Sequence, residues 1–184
     1  MKIRNSISKI FYILIDFPLG KIFLSKTQNG LCLIKFLGDY RSQNSLSDSV
    51  TELTNFILEQ NDQAFSQEKE LFSSYFNGER VDFSQLKIDF IFGTKWQKKV
   101  WRETRRIPYG ETRSYKFIAQ EMNIKGYQCI GQALGKNPLL IVIPCHRVVK
   151  TDRSIGGFSA GVELKKYLLE LENISFLGPN TGQN

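Results

Sequence analysis

The chain has one histidine, His146, and three cysteines, Cys32, Cys129 and Cys145. A zinc site usually takes four Cys or His ligands at close spacing. So small and scattered a set predicts no metal centre. An odd number of widely separated cysteines also argues against a disulfide framework. Long apolar runs are missing as well. The longest, residues 10–15 and 139–144, fall far short of the roughly 20 residues that span a bilayer. Lys2 and Arg4 precede the first run, but Asp16 interrupts it and no small-residue cleavage site comes after it, so no signal peptide is expected. No internal repeat or low-complexity segment stands out. These absences predict a soluble, cytoplasmic protein with no membrane association and no cofactor.

What is present suffices for a core: 184 residues, 41% hydrophobic and 12% aromatic. That length predicts one domain of ordinary size or two small ones. The net charge of +7 is unevenly spread. Residues 94–166 hold fifteen Lys and Arg against five acids, whereas the remainder holds ten bases and thirteen acids. Charge gathered in one contiguous half suits a polyanion-binding surface. Taken alone, it suits a solvated basic face equally well.

Residues 11–16, 21–25 and 31–36 are rich in β-branched and aromatic side chains, with Pro18-Leu19-Gly20 and Gln28-Asn29-Gly30 between them. They predict strands joined by tight turns. Val50, Leu53, Phe56 and Ile57 stand at helical spacing, predicting a helix over 46–63. A second helix is expected over 67–76, ended by Asn77-Gly78, and an extended segment over 82–92. Thr94 and Gln97 form a capping box opening a helix to about Arg106 that buries Trp96, Val100 and Thr104. Tyr115, Ile118, Ala119 and Met122 make one apolar stripe on a helix beginning near Ser114. A break at 123–126 leads to a short helix over 127–135, and the pair reads as a candidate helix-turn-helix. On that second helix Gln128, Gly131, Gln132 and Gly135 share a face. Each interior glycine costs about 1 kcal/mol against alanine. Something is therefore expected to approach the backbone closely, whether a packed helix or DNA; the flanking glutamines favour DNA.

The chemistry concentrates at Pro144-Cys145-His146-Arg147, which ends the apolar run 139–143. Thiolate is the nucleophilic form of cysteine, and a thiol near pKa 8.5 needs a base or a cation to reach it at neutral pH. His146 is the base at hand. Adjacent residues on an extended segment point apart, so it need not touch Cys145 directly and could act through a bridging water. The alternative is a buried structural cysteine beside a satisfied histidine. A carboxylate to orient the imidazole is offered by Glu172, at the end of a helix over 161–172 whose Leu164, Leu168 and Leu171 face the core.

Ile107-Pro108-Tyr109-Gly110-Glu111-Thr112, Ser114-Tyr115, Asn137-Pro138, Ile143-Pro144-Cys145-His146-Arg147-Val148, Gly156-Gly157-Phe158 and Lys165 through Leu168-Leu169 to Glu172 resemble the methylated-DNA–protein-cysteine methyltransferases, the 6-O-methylguanine-DNA alkyltransferase family. The strong likeness covers about residues 90–172; before that it extends only to length and element order. The resemblance implies an α+β fold: a small N-terminal α/β domain with an antiparallel sheet (1–92), a mainly helical, winged-helix-like domain carrying the helix-turn-helix and the alkyl acceptor (93–173), and a polar tail (174–184). It implies single-turnover transfer of an alkyl group from 6-O-alkylguanine, and from 4-O-methylthymine, to Cys145, with the base flipped out of double-stranded DNA by a monomer. Extrusion is what the chemistry demands, because a thiolate cannot reach the alkyl carbon inside the stack.

The resemblance also implies roles by position. His146 would deprotonate Cys145, Glu172 would hold His146, and Asn137 would brace the turn. Tyr115 would contact the flipped guanine and the phosphate 3′ to it, and protonate the leaving base. Val148, Phe158, Ser159 and Lys165 would form the base pocket. Gln128, Gly131, Gln132, Ala133, Gly135 and Arg147 would contact DNA. The sequence departs from the family at Gln128, where an arginine usually fills the gap left by the flipped base, and at Ala160, where glycine is frequent. Two rival classes share the features: a lesion-sensing DNA-binding module, which would lack the acceptor cysteine kept here, and a Cys-His-Glu hydrolase, whose thioester water would cleave.

Overall fold

The computed structural model describes residues 9–37 and 53–176. Three strands open it: β1 (Lys9–Phe17), β2 (Gly20–Thr27) and β3 (Gly30–Leu37), paired antiparallel in sequence. The turns between them hold two residues each, because Phe17 already pairs with Gly20 and Thr27 with Gly30. Gly30 is required by its surroundings. Its φ is +147°, and a Cβ there would lie 2.5 Å from the Lys87 carbonyl.

The helix expected over 46–63 is replaced, in its second half, by a strand. Residues 46–52 lie outside the described residues, and β4 (Ile57–Gln60) runs parallel to β1, so the sheet is mixed, in the order β3-β2-β1-β4. A helical spacing of four apolar residues yields here to the unpaired edge of β1, which offers hydrogen bonds a short helix would leave unmade. A 3-10 turn (Asp62–Phe65) then leads into α1 (Ser66–Phe76), which buries Phe72 and Tyr75. The 82–92 segment is only partly extended, with a 3-10 turn at Phe83–Gln85 before Ile88 bridges to Leu31.

Four helices come next: α2 (Lys95–Thr104), α3 (Tyr115–Glu121), α4 (Gln128–Leu134) and α5 (Val162–Leu171). The Thr94–Gln97 capping box is formed in both directions, and Ser114 caps α3 by accepting from the Phe117 N–H. On α2 the buried tryptophan is Trp101, whose Nε1 donates to the Ala133 carbonyl at 2.8 Å, while Trp96 stays 36% exposed in the first turn. The large core includes residues of the sheet, α1 and all four later helices.

Two main-chain contacts tie the sheet to the segment that carries the cysteine. The free edge of β3 receives the 87–89 segment through Leu31 N–H to Lys87 O (2.9 Å) and Asp89 N–H to Leu31 O (2.8 Å). Further along the same edge, Ile34 N–H donates to Pro138 O at 2.7 Å, and Ile34 bridges Leu139. Among the described residues, no helix is long and apolar enough to cross a membrane.

Candidate active site and DNA-facing surface

The run 139–143 is buried as its composition demands, but it is a compact turn rather than a strand. Ile143 N–H returns to Leu139 O at 2.8 Å and Val142 N–H to Leu140 O at 3.0 Å. Ile141 sits at φ +71°, a region that strains a β-branched residue by on the order of 1–3 kcal/mol. Asn137 holds this turn from inside: its Oδ1 accepts from Leu139 N–H (2.9 Å) and its Nδ2 donates to Ile143 O (2.9 Å) and to Cys145 Sγ (3.0 Å). Pro144 (φ −79°, ψ 63°) makes an inverse γ-turn, closed by Cys145 N–H to Ile143 O at 2.8 Å. A 3-10 turn over Cys145–Arg147 begins at once.

That local geometry decides where the next side chains go. In a strand they would alternate between faces; in the 3-10 turn Cys145, His146 and Arg147 are all buried. His146 and Arg147 converge on Glu172, at the C-cap of α5. Glu172 Oε1 accepts from His146 Nε2 (2.8 Å), Arg147 Nη2 (2.9 Å) and the Tyr75 hydroxyl (2.7 Å); Oε2 accepts from Arg147 Nε (2.8 Å) and Gly110 N–H (3.3 Å). Burial alone would raise the Glu172 pKa, but the hydrogen bonds from His146 and Arg147 and the charge of Arg147 outweigh it and bring it down to about 2. The opposite holds for His146. Desolvation lowers its pKa against the pull of Glu172, so the imidazole is neutral at physiological pH. With Nε2–H given to Glu172, Nδ1 is left as a buried acceptor with no hydrogen-bonding partner among the described residues.

Burial pushes the Cys145 thiol up to about 11, against opposing contributions from Asn137 and Lys165, so at rest it keeps its proton. Cys145 forms one wall of a cavity of about 200 Å³, with Gly131, Leu134, Gly135, Gly157, Phe158 and Ser159 around it. Tyr115 stands at its side, its ring 3.7 Å from where a Gly131 Cβ would be and its hydroxyl 3.5 Å from Gly157 O. Burial, and then the nearby Cys145, raise the Tyr115 pKa, so it holds its proton at neutral pH. Lys165 is fully buried; its Nζ donates to Val148 O (2.6 Å) and Gly157 O (3.4 Å), and burial lowers its pKa to about 8. Val148 and Lys165 are thus behind the pocket, holding its backbone, whereas Phe158 and Ser159 line it.

Two of the residues expected at a DNA surface are elsewhere. Arg147 is buried, with Nε and Nη2 on Glu172 and Nη1 on the Ile107 carbonyl at 2.7 Å. No nitrogen of it is left for a phosphate. Ala133 is buried in the core between Ile130 and Leu134, because α4 packs that face on α2. Gln128, Gln132 and Gly135 are exposed and Gly131 half-exposed, as the face they share requires. Arg105 is turned towards the 83–86 segment, where its Nη2 donates to the carbonyls of Phe83, Ser84 and Leu86. Exposed cations nonetheless remain at Lys95, Lys99, Arg102, Arg106, Lys116, Lys125, Lys136, Lys150 and Arg153. Among the described residues, no three His, Cys, Asp or Glu side chains converge as metal ligands would.

Sequence reasoning missed Tyr75. Nothing in its own segment marks it, and it meets Glu172 from 97 positions away. Arg147, assigned to DNA by the resemblance, was missed as a partner of Glu172 because no local signal marks a side chain that turns onto a carboxylate 25 positions away.

The comparisons with known proteins agree with this geometry. The family profile described as 6-O-methylguanine DNA methyltransferase, DNA binding domain, matches residues 95–174, and that described as its ribonuclease-like domain matches residues 10–90. A methylated-DNA–protein-cysteine methyltransferase of Sulfolobus acidocaldarius is 34% identical over 90% of this chain and 95% of its own length. One from Haemophilus influenzae is 31% identical over 94% and 91%. The crystal structure of Mycobacterium tuberculosis O6-methylguanine methyltransferase superposes with a TM-score of 0.74 at 34% identity, covering 89% of this chain and 92% of that one. Mycobacterium tuberculosis OGT in complex with DNA gives 0.72 at 32% identity over 89% and 92%. With both profiles matched across most of its length, the chain belongs to the 6-O-methylguanine DNA methyltransferase family.

Proposed function

We propose that this protein repairs DNA by taking the alkyl group of 6-O-alkylguanine onto Cys145, once per molecule. The observation that carries the reading is the placement of the Cys145 thiol in the wall of a cavity of about 200 Å³, next to a neutral His146 whose far nitrogen is fixed by Glu172. His146 Nδ1 takes the thiol proton through a bridging water. The sulfur attacks the alkyl carbon, the bond from that carbon to O6 breaks, and its electron pair stays on the guanine. Tyr115, still protonated, supplies a proton to the departing base. The product is a thioether, which water does not cleave, so the protein is consumed. A thiol that keeps its proton at rest suits a buried cysteine, with the proton leaving as the sulfur attacks bound substrate.

DNA affinity on this reading comes from the exposed cations of the basic half. Helices α3 and α4 act as a helix-turn-helix in a winged-helix-like unit spanning 93–173, with the Gln128–Gly135 face against the groove and the damaged base extruded into the cavity. 4-O-Methylthymine presents the same alkyl–oxygen bond and is taken as a second substrate. Incubation with DNA containing 6-O-methylguanine should add one methyl to Cys145 by intact and peptide mass, and repair should stop at one equivalent. Repair continuing past that point would mean a turnover enzyme instead.

Gln128 bears on extrusion. Expelling a base costs a few kcal/mol, and a guanidinium in the gap stacks and hydrogen-bonds better than a carboxamide. Gln128→Arg should therefore speed transfer on duplex DNA about tenfold, while leaving single-stranded substrate unchanged, since the latter needs no extrusion. Equal duplex rates would show that Gln128 or a neighbour already fills the gap.

A further inference from the structure

We propose that Tyr75, on α1 in the first half of the chain, is a positioning residue for alkyl transfer: by donating its hydroxyl to Glu172 it sets how strongly that carboxylate pulls on His146. The inference rests on the roles proposed for Cys145, His146 and Glu172 in alkyl transfer.

The geometry is specific. Tyr75 is fully buried, its ring packed edge-on to Phe76, Phe83 and Tyr109, and its hydroxyl lies 2.7 Å from Glu172 Oε1. That is the same oxygen that accepts from His146 Nε2. An oxygen has limited electron density to share, and each donor to it weakens its hold on the others. Simple orientation of the imidazole would need one carboxylate oxygen and no more. Glu172 instead carries donors from four residues in three parts of the chain: Tyr75 of α1, Gly110 of the loop before β5 (Arg113–Ser114), and His146 and Arg147 of the cysteine turn. Tyr109 faces the same carboxylate but spends its hydroxyl on the Leu171 carbonyl at 3.1 Å. His146 itself is faced by Glu172, Arg147 and Lys165.

The consequence has a sign. A carboxylate with few donors holds a charged imidazolium well, and the histidine beside it becomes too basic to be neutral at working pH. Saturating the carboxylate with Tyr75 and Arg147 keeps His146 neutral, with Nδ1 ready to accept. Removing the Tyr75 hydroxyl should return electron density to Oε1, strengthen its bond to His146 and raise the pH at which the imidazole charges. Transfer should then fail on the acidic side first.

His146 is the sole histidine in the chain, so side-chain nitrogen NMR of the full-length protein reads it alone, with no catalysis involved. In Tyr75→Phe, which keeps the ring, the Nε2-bound proton should move downfield. The acidic limb of the transfer rate should move up by roughly half a pH unit, about 0.7 kcal/mol, with the rate at high pH preserved. A merely structural role would lower the active fraction equally at every pH. An unshifted proton together with an unshifted limb would overturn the proposal. Should Tyr75→Phe not fold, protein made with 3-fluorotyrosine loses no atom and carries a more acidic hydroxyl; the histidine proton should then move upfield, and no movement would be equally fatal. If the wild type transfers no alkyl group at all, the functional reading fails, while the NMR result still decides whether Tyr75 controls His146.

Discussion

Cys145→Ser should abolish alkyl transfer outright and leave DNA affinity where it was. A serine hydroxyl is a far weaker nucleophile than a thiol, and the buried site offers no cation dedicated to ionising it: Lys165 is already committed to the carbonyls of Val148 and Gly157. The exchange is nearly isosteric and keeps a group that can accept from Asn137 Nδ2, as Sγ does at 3.0 Å, so the turn should hold. On the proposed reading, binding depends on exposed cations such as Lys116, Lys125 and Lys136, whereas Cys145 is buried. Affinity should therefore persist and fall linearly on a log–log plot against salt, with a slope of about −0.9 for each phosphate neutralised. Titration of labelled duplex at several salt concentrations, alongside a transfer assay, checks both halves. Residual methylation of the variant at another residue would remove Cys145 from the centre of the mechanism, and salt-independent binding would remove the basic surface.

Glu172→Ala should damage both chemistry and stability. It strands the Arg147 guanidinium, the Tyr75 hydroxyl and the His146 Nε2–H in a site with no water-exposed face. Breaking a buried ion pair by removing one partner costs about 3–5 kcal/mol. For a chain of this size that is a drop in melting temperature of roughly 10 °C. The imidazole also loses the bond that fixes its tautomer, and general-base assistance is worth about 100-fold or more. Glu172→Gln should be milder in stability, because an amide oxygen still accepts, yet nearly as slow, because it cannot balance Arg147. The wild type should show the matching acid sensitivity. The Glu172 pKa is lowered on folding from 4.5 to about 2. Its contribution is thus complete above the unfolded value and lost as pH falls through that window. Calorimetry from pH 7 down to 2 should show wild-type stability falling across the window, and in Glu172→Ala a shallower fall. Parallel curves would mean that Glu172 is not the titrating anchor.

Much of this site was legible in the sequence, for stated reasons. Cys145 and His146 are rare residue types in a telling place, the lone histidine beside a cysteine at the end of an apolar run, and Glu172 is marked by its position one turn past Leu168. Thr94 and Gln97 announce the start of α2 because capping is a local transaction among four residues. What escaped was set by contacts distant in the chain or by a backbone turn with no local signature. Ile57–Gln60 is a strand because β1 offers it an edge. Ala133 is buried because α2 lies across it. Arg147 turns inward because a proline γ-turn and a 3-10 turn replace the extended chain that alternation assumes.

The hydrogen bond from Ile34 N–H to Pro138 O carries a lesson about ancestry. The two profiles that match this chain meet near residue 92, which invites a picture of interchangeable parts joined by recombination. Yet the backbone beside the cysteine turn leans on a strand from the first part, and the carboxylate behind the histidine leans on a tyrosine from it. A chimera taking residues 95–174 from here and its opening ninety from another lineage would inherit the nucleophile without the props that hold it.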